Sequence, residues 1–381
     1  MRKIAVVTGT RAEYGYLKCL MNAIEREKKL VLIPLVTGMH LLPDFGSTYK
    51  LVKNDFPSSV KIPMPLKGDS LADMATYLAS GVANFAEYFS KNPPNIIVVL
   101  GDRSESLAAA LVALYLNIPI AHINGGDVTG TTIDESIRHA ITKIAHIHFV
   151  HTKENAKRVE KMGEDKKRIF ITGALTLDTI LHIKLMEKKE IFKKYNLDPR
   201  KKTFLVVQHP ITTLKDKGYS QMKELLLALD TIGEQTILLY PNCDAGGKQF
   251  IDLIKKYEGK SYLRPYKNIL HKEYLSLMKS VDIMIGNSSS GIIEAPSFRI
   301  PVINIGTRQK GRARSSNIID VEPKKEKILD SIEFALQNKG FLEKVRISKN
   351  TFGDGTAAQK IVKIFKEISL DEKLIQKQIT Y

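Results

Sequence analysis

Short apolar runs recur along this chain, and nearly every one stops in a polar turn that contains glycine. Ile4 to Val7 runs into Thr8-Gly9-Thr10-Arg11-Ala12-Glu13-Tyr14-Gly15, and Leu30 to Val36 into Thr37-Gly38-Met39-His40. Asn95 to Leu100 ends at Gly101-Asp102-Arg103-Ser104-Glu105, and Ile118 to Ile123 at Asn124-Gly125-Gly126-Asp127. Ile169 to Gly173 closes this first series. The runs are continuously apolar rather than alternating, which is the pattern of strands buried on both faces. Between them apolar residues return at helical spacing, as at Leu17, Leu20, Met21 and Ile24. Strands alternating with helices predict a parallel sheet with right-handed crossovers.

A second series begins at Phe204 to Val207, ending in Gln208-His209-Pro210, and continues with Thr236 to Tyr240, ending at Pro241-Asn242. Val281 to Ile285 then breaks into Gly286-Asn287-Ser288-Ser289-Ser290-Gly291. A short helix carries Glu294 one turn in, and Pro301 restarts a strand at Val302 to Ile305. The lysine-rich stretch from Leu181 to Lys202 reads as helix plus linker. The predicted fold class is therefore α/β, with two Rossmann-like doubly wound domains facing each other across a cleft. The expected boundaries are 1–175 and 203–365, joined by a linker at 176–202. A C-terminal helix or tail, 366–381, has the option of packing back on the first domain.

In such sheets ligands bind beyond the carboxyl ends of the strands. That rule gathers Arg11, Glu13, His40, Asp102, Arg103, Asn124 and Asp127 on one rim of the first domain. In the second domain, a strand, a tight polar loop and a helix start from Gly286 to Gly291 have the order that offers backbone N–H groups to an anion. An ordinary serine-rich turn has the same sequence signature, so the loop alone does not decide.

Bulk properties narrow the classes. A chain of 381 residues is long for one core, and 43% hydrophobic with 26% charged residues is a globular balance. No apolar run approaches the roughly 20 residues of a membrane span. The two cysteines, Cys19 and Cys243, form no CxxC, which suits a reducing, cytoplasmic setting. The net charge of +17 invites nucleic acid, yet lysines and arginines are scattered among acids with no aromatic interleaving. A small anionic ligand and a lysine-rich surface explain the charge equally well, so neither nucleic acid nor membrane is expected as partner.

Individual residues carry chemistry and bland alternatives side by side. Asp102 is placed as a base or as a cap for the helix near Ser104. Asp134 and Glu135 sit at the head of a helix, where the macrodipole favours acids. Asp134 is also placed to pair with Arg138 four residues on. Histidines cluster from His122 to His151, but strand alternation separates His151 from His146 and His148, so no metal site is expected. His209 at a strand end, and Arg308 on the same rim as the serine loop, are ligand-binding candidates. GxGxxG and GxxxxGK[ST] are both missing, which argues against a dinucleotide enzyme or a P-loop NTPase.

The chain resembles the UDP-N-acetylglucosamine 2-epimerase family, in its hydrolysing branch. The likeness rests on T-G-T-R-A-E-Y-G at Thr8 to Gly15, L-G-D-R at Leu100 to Arg103, and D-E-S-I-R-H at Asp134 to His139. It extends through Q-H-P at Gln208 to Pro210, P-N-C-D-A-G at Pro241 to Gly246, G-N-S-S-S-G at Gly286 to Gly291 and G-T-R-Q at Gly306 to Gln309. The resemblance implies a glycosyltransferase-B type fold. It implies a UDP moiety held by His209, Ser288, Ser289, Glu294 and Arg308, with Arg11 reaching across and Glu294 meeting the ribose hydroxyls. Glu13, His40 and Asn242 are further substrate-binding candidates. Asp102 and Asp134 match the family's proton-transfer acids. Asn124 departs from the glutamate, sometimes histidine, of relatives, and Asp127 in the same loop is the acid available to share its duty.

The implied activity is hydrolytic 2-epimerisation of UDP-N-acetylglucosamine to N-acetylmannosamine and UDP, with no cofactor and no metal. The same chemistry on a UDP- or GDP-linked 2,4-diacetamido-2,4,6-trideoxyglucose, en route to legionaminic acid, is the alternative. A nucleotide-sugar glycosyltransferase is the rival of another class. A homodimer or homotetramer is the expected assembly.

Overall fold

A computed structural model describes residues 1–43, 47–66, 68, 70–128, 133–210, 217–241, 247–267 and 269–381, without the side chains of Leu71, His182, Lys217, Lys248 and Gln249. The chain divides into two compact units. The first comprises Met1–Leu181 with Phe352–Tyr381, and the second comprises His182–Thr351.

The first unit is built on seven strands: β1 (Arg2–Thr8), β2 (Leu30–Thr37), β3 (Val60–Ile62), β4 (Ile96–Leu100), β5 (Ile120–Ile123), β6 (Ile147–Val150) and β7 (Ile169–Ile171). All pair in parallel, in the order β3-β2-β1-β4-β5-β6-β7. The pleat alternates side chains between faces, so Ile4 and Val6 enter one core while Ala5 and Val7 enter the other. Phe85, Phe89 and the Ala108–Ala110 run cover the second face. The first face is closed by Leu17, Leu20 and Met21 from the helix Arg11–Glu25, and by Ile361 and Phe365 from the helix Ala357–Glu367.

That last helix revises the expected boundary: residues 352–365, assigned by sequence to the second domain, belong to the first unit. The cause is local chemistry. Asp178 accepts the N–H groups of Ala357 and Ala358 at 3.0 and 2.8 Å, satisfying the open start of the helix, and Phe365 stands edge-on to Phe149 at 5.4 Å. Residues beyond 366 follow it, with Arg168 donating to the carbonyls of Leu374 and Lys373 at 2.6 Å.

The second unit has six strands: β8 (Thr203–Val207), β9 (Gln235–Leu239), β10 (Leu263–Tyr266), β11 (Ile283–Gly286), β12 (Val302–Ile305) and β13 (Ile318–Val321). They are again parallel, in the order β10-β9-β8-β11-β12-β13. Phe204 and Val206 pack with Leu225 and Leu229 on one face, while Leu205 and Val207 pack with Leu277 and Met278 on the other. Ile191, Phe192, Tyr195 and Leu197 join the latter core, so this part of the expected linker is folded structure. In each unit the strand order reverses direction at one place, between β1 and β4 and between β8 and β11. A crevice at such a switch point is where doubly wound sheets receive ligands.

Candidate functional site

At the first unit's switch point, the turn after β1 is locked by a capping box. Glu13 Oε2 accepts the N–H groups of Gly9 and Thr10 at 2.8 and 3.0 Å, while Thr10 Oγ1 accepts the N–H of Glu13 at 3.2 Å. Glu13 is buried, and desolvation with help from nearby Glu105 raises its carboxyl to about 7, against the pull of Arg103. This oxygen is thus committed to the chain's own backbone as a helix cap. His40 is likewise engaged within the chain. It is fully buried, Nε2 is 3.0 Å from Thr8 Oγ1 and Nδ1 is 2.8 Å from Thr48 Oγ1. Burial lowers its pKa to about 4, which leaves a neutral ring bracing two loops. Arg11, the first residue of the same helix, is exposed at the turn.

The acids of this unit converge on an arginine. Arg138, 2% exposed, ion-pairs through Nη2 with Asp102 Oδ2 and through Nη1 with Glu135 Oε2 at 2.8 Å. The same Nη1 donates to the Asp127 carbonyl at 3.2 Å. One buried guanidinium thus ties the turn after β4, the turn after β5 and the helix Ile133–Ile144 together. Asp102, a quarter exposed, follows Gly101, whose φ of 71° is a left-handed conformation suited to glycine. Asn124 is also left-handed (φ 71°), and its N–H donates to the Phe149 carbonyl at 3.1 Å. Asp127 is buried beside it.

Asp134 stands apart. The expected pair with Arg138 does not form, because that guanidinium turns to Asp102 and Glu135 instead. Asp134 lies exposed on the helix's first turn with no hydrogen-bond or ion-pair partner among the described residues. Its carboxyl is raised by partial desolvation, opposed by the charge of Arg103.

The clustered histidines disperse into separate duties. His122 bridges the Gly101 carbonyl (2.8 Å) and Thr142 Oγ1 (3.1 Å), while His146 Nδ1 accepts the Ile120 N–H at 3.1 Å. His148 meets Glu164 Oε2 at 3.0 Å. No group of three or more His, Cys, Asp or Glu among the described residues is arranged to hold a metal ion.

In the second unit, the switch point is stitched by Asn287. Its Oδ1 accepts the His209 N–H at 2.8 Å and its Nδ2 donates to the His209 carbonyl at 2.9 Å. The Asn287 carbonyl in turn accepts from Arg308 Nη1 at 3.2 Å and Gln309 Nε2 at 2.8 Å. His209 is buried, and desolvation, then repulsion from Arg308, lowers it to about 4. Ser288 caps the helix Ser289–Ile293, its Oγ accepting the Ser290 N–H at 3.3 Å. Ser289 is half-buried at the first position of that helix.

Glu294 closes this helix, 7% exposed, and burial alone raises its carboxyl to about 7. Among the described residues no donor reaches that carboxylate. A buried acid without a partner is costly unless something supplies hydrogen bonds. Asn242 lies outside the described residues. Arg138 and Asn287 were missed as organisers by sequence reading. The signals were their places, one turn after Asp134 and directly after Gly286.

All of these strand ends except the turn after β1 lie on a segment matched by a family model: residues 22–366 fit the one described as UDP-N-acetylglucosamine 2-epimerase. The chain belongs to this family. It is 37% identical over 382 residues to UDP-N,N'-diacetylbacillosamine 2-epimerase (hydrolyzing) of Legionella pneumophila, covering 100% of both chains. It is 37% identical over 374 residues to GDP/UDP-N,N'-diacetylbacillosamine 2-epimerase (hydrolyzing) of Campylobacter jejuni, covering 97% of each. Among solved structures, UDP-GlcNAc 2-epimerase from Neisseria meningitidis bound to UDP-GlcNAc superposes with a TM-score of 0.82 at 17% identity, over 96% of this chain and all of that one. The 2-epimerase fold of paired Rossmann-like units, the glycosyltransferase-B type, is therefore this chain's fold. The protein is an enzyme of the 2-epimerase family.

Proposed function

We propose that the enzyme is a hydrolysing 2-epimerase of a UDP-linked 2-acetamido sugar. One observation carries the reading. The first unit gathers acids at its strand ends, whereas the second keeps Glu294 buried, with no donor among the described residues, in a helix led by the serine turn that Arg308 contacts. A carboxylate lacking donors suits the paired hydroxyls of a ribose, and the serine turn with Arg308 suits the diphosphate.

The chemistry then divides between the units. A carboxylate, with Asp102 and Asp134 as the candidates, takes the C2 proton while the C1–O bond breaks and its electron pair leaves with UDP. The product is a 2-acetamidoglucal. Water adds its hydroxyl at C1 and a proton at C2 from the opposite face, giving the free 2-epimer. The C2 proton is weakly acidic, so neutralising the departing diphosphate shares the barrier.

The two hydrolysing relatives favour N,N'-diacetylbacillosamine, the 2,4-diacetamido-2,4,6-trideoxy sugar, as the sugar part. The family description keeps UDP-N-acetylglucosamine as the second reading. The test incubates purified enzyme with UDP-N-acetylglucosamine and with the UDP- and GDP-linked diacetamido sugars, following products by proton NMR. A free 2-epimer plus UDP from one of them is expected. Sugar transferred to an acceptor, or no free nucleotide from any, would sink the reading.

A further inference from the structure

Glu105 lies outside the groups just assigned, yet its carboxylate is the most enclosed on the first unit's rim. The side chain is about 1% exposed, and Tyr77 Oη donates to Oε1 at 2.7 Å. Arg103 grips the carboxylate with both arms of its fork, Nε to Oε2 at 3.1 Å and Nη2 to Oε1 at 3.2 Å. We propose that Glu105 is a positioning residue for the 2-epimerase reaction, fixing the Arg103 guanidinium at the strand-end rim. The inference rests on the reaction read above and adds a residue to it.

Three observations converge on this role. First, the backbone closes around Glu105. A Cβ on Gly9 would come within 2.9 Å of its Cγ and Cδ, and one on Gly38 within 2.4 Å of its Oε1. The turns after β1 and β2 thus leave room for this side chain by carrying glycine. Second, the ion pair is lopsided. Glu105 is sealed, while 37% of the Arg103 side chain reaches solvent at the rim. Burying a carboxylate carries a desolvation cost that its partners must offset, so a purely structural position is commonly filled as well by an apolar residue. A sealed anion holding a half-exposed cation is an anchored cation. Third, Arg103 acts on the rim acids. Its charge opposes the rise of both Asp134 and Glu13, and the Met39 sulfur at 3.4 Å limits its swing.

Around Glu105 the charged and titratable neighbours are Arg103, Glu13, Tyr77 and His40. Around Asp134 they are Arg103 and, on its own helix, Glu135, Arg138 and His139. Once Glu105 no longer anchors it, Arg103 spreads into solvent and Asp134 loses its fixed cation.

The experiment compares wild type, Glu105→Gln, Arg103→Lys and Tyr77→Phe on whichever nucleotide sugar the wild type turns over. Calorimetric binding of UDP is measured alongside. Glu105→Gln is expected to lower kcat about 10- to 100-fold, since a small misplacement of a charged group has that scale of effect, with UDP affinity within about threefold. The acidic limb of its kcat profile should move to higher pH. Arg103→Lys keeps the charge but loses the fork and should reproduce the kcat loss, and Tyr77→Phe a smaller one in the same direction. Should Glu105→Gln fail to fold by circular dichroism, the other two variants carry the comparison.

A Glu105→Gln enzyme, or in its place an Arg103→Lys enzyme, that keeps kcat within twofold and an unmoved acidic limb would overturn the inference. So would a variant that loses UDP affinity in proportion to kcat. A wild type inactive on every nucleotide sugar would remove the reaction reading and this inference together, which distinguishes the two failures.

Discussion

Asn287 holds both backbone groups of His209, taking its N–H at 2.8 Å and giving a hydrogen to its carbonyl at 2.9 Å. The contact crosses the second unit's switch point, joining the turn after β8 to the turn after β11. The side-chain amide carries its donor and its acceptor on separate atoms, so it meets both backbone groups at once. Asn287→Ala should strand a buried N–H and a buried carbonyl, at about 1–3 kcal/mol each before water re-enters. Thermal melting should fall by several degrees, and UDP affinity should fall with it because the side-chain bridge fixes the Asn287 backbone carbonyl to which Arg308 and Gln309 donate. Asn287→Asp, which accepts but cannot donate, should lie between. Unchanged melting and affinity in Asn287→Ala would show that the bridge does no such holding.

One residue earlier, Gly286 has φ 132°, and a Cβ there would lie 2.0 Å from the Val207 carbonyl oxygen. Neither the angle nor the contact can be relieved by a side-chain shift, because the obstacle is backbone of the neighbouring strand. Gly286→Ala should therefore cost roughly 2 kcal/mol or more, combining backbone strain with overpacking. Urea unfolding measures it directly, and a loss below about 0.5 kcal/mol, the scale of an ordinary surface change, would contradict the argument.

The same positions show what sequence could and could not disclose. The strands of the two sheet interiors were readable wherever every residue was apolar, as in Ile96–Leu100 and Ile283–Gly286. The overlooked β3, β10 and β13 are all sheet edges, where Lys61, Pro265 and Asp320 break the apolar pattern. Edge strands carry such residues because their outer side faces no partner. The rim residues were likewise found by the rule that strand ends hold ligands. The local Thr10–Glu13 capping box was written in the sequence, whereas the use of Arg138 was not legible, because its partner Asp102 is brought near only by folding. His40 looked like a ligand residue for the same reason: its two threonine partners, Thr8 and Thr48, come from different turns.

Glu294 gives a pH signature with a defined sign. Its carboxyl is raised from 4.5 to about 7 by burial, so the folded state holds the proton more tightly than the unfolded state does. Stability from this group is full below about 4.5 and is lost as pH rises through about 7. Glu13, raised similarly, contributes in the same window, so the comparison must be with a variant. Glu294→Gln should melt higher than wild type at pH 8 and nearly alike at pH 4.5, while binding UDP more weakly. A melting difference independent of pH would mean that the carboxylate is not the group responsible.

The two units also predict a separation of binding from chemistry. Ser289 starts the short helix beside the Asn287–Arg308 contact, whereas Asp102 is ion-paired to the buried Arg138 in the other unit. Ser289→Ala should weaken calorimetric UDP binding by about 10- to 100-fold, the scale of one hydrogen bond to a charged group. Asp102→Asn keeps the side-chain shape and one acceptor for Arg138, so the fold should be retained and UDP affinity should stay within about threefold. It removes the charge that would draw off a proton, and turnover should fall at least 100-fold, as for loss of a general base. Some loss of melting temperature should accompany it, because Arg138 loses its charged partner at Asp102. If Asp102→Asn turns over normally, the base must be sought at Asp134, the exposed acid whose carboxyl is already raised. If instead both variants lose UDP binding equally, the division of labour between anion grip and proton transfer fails.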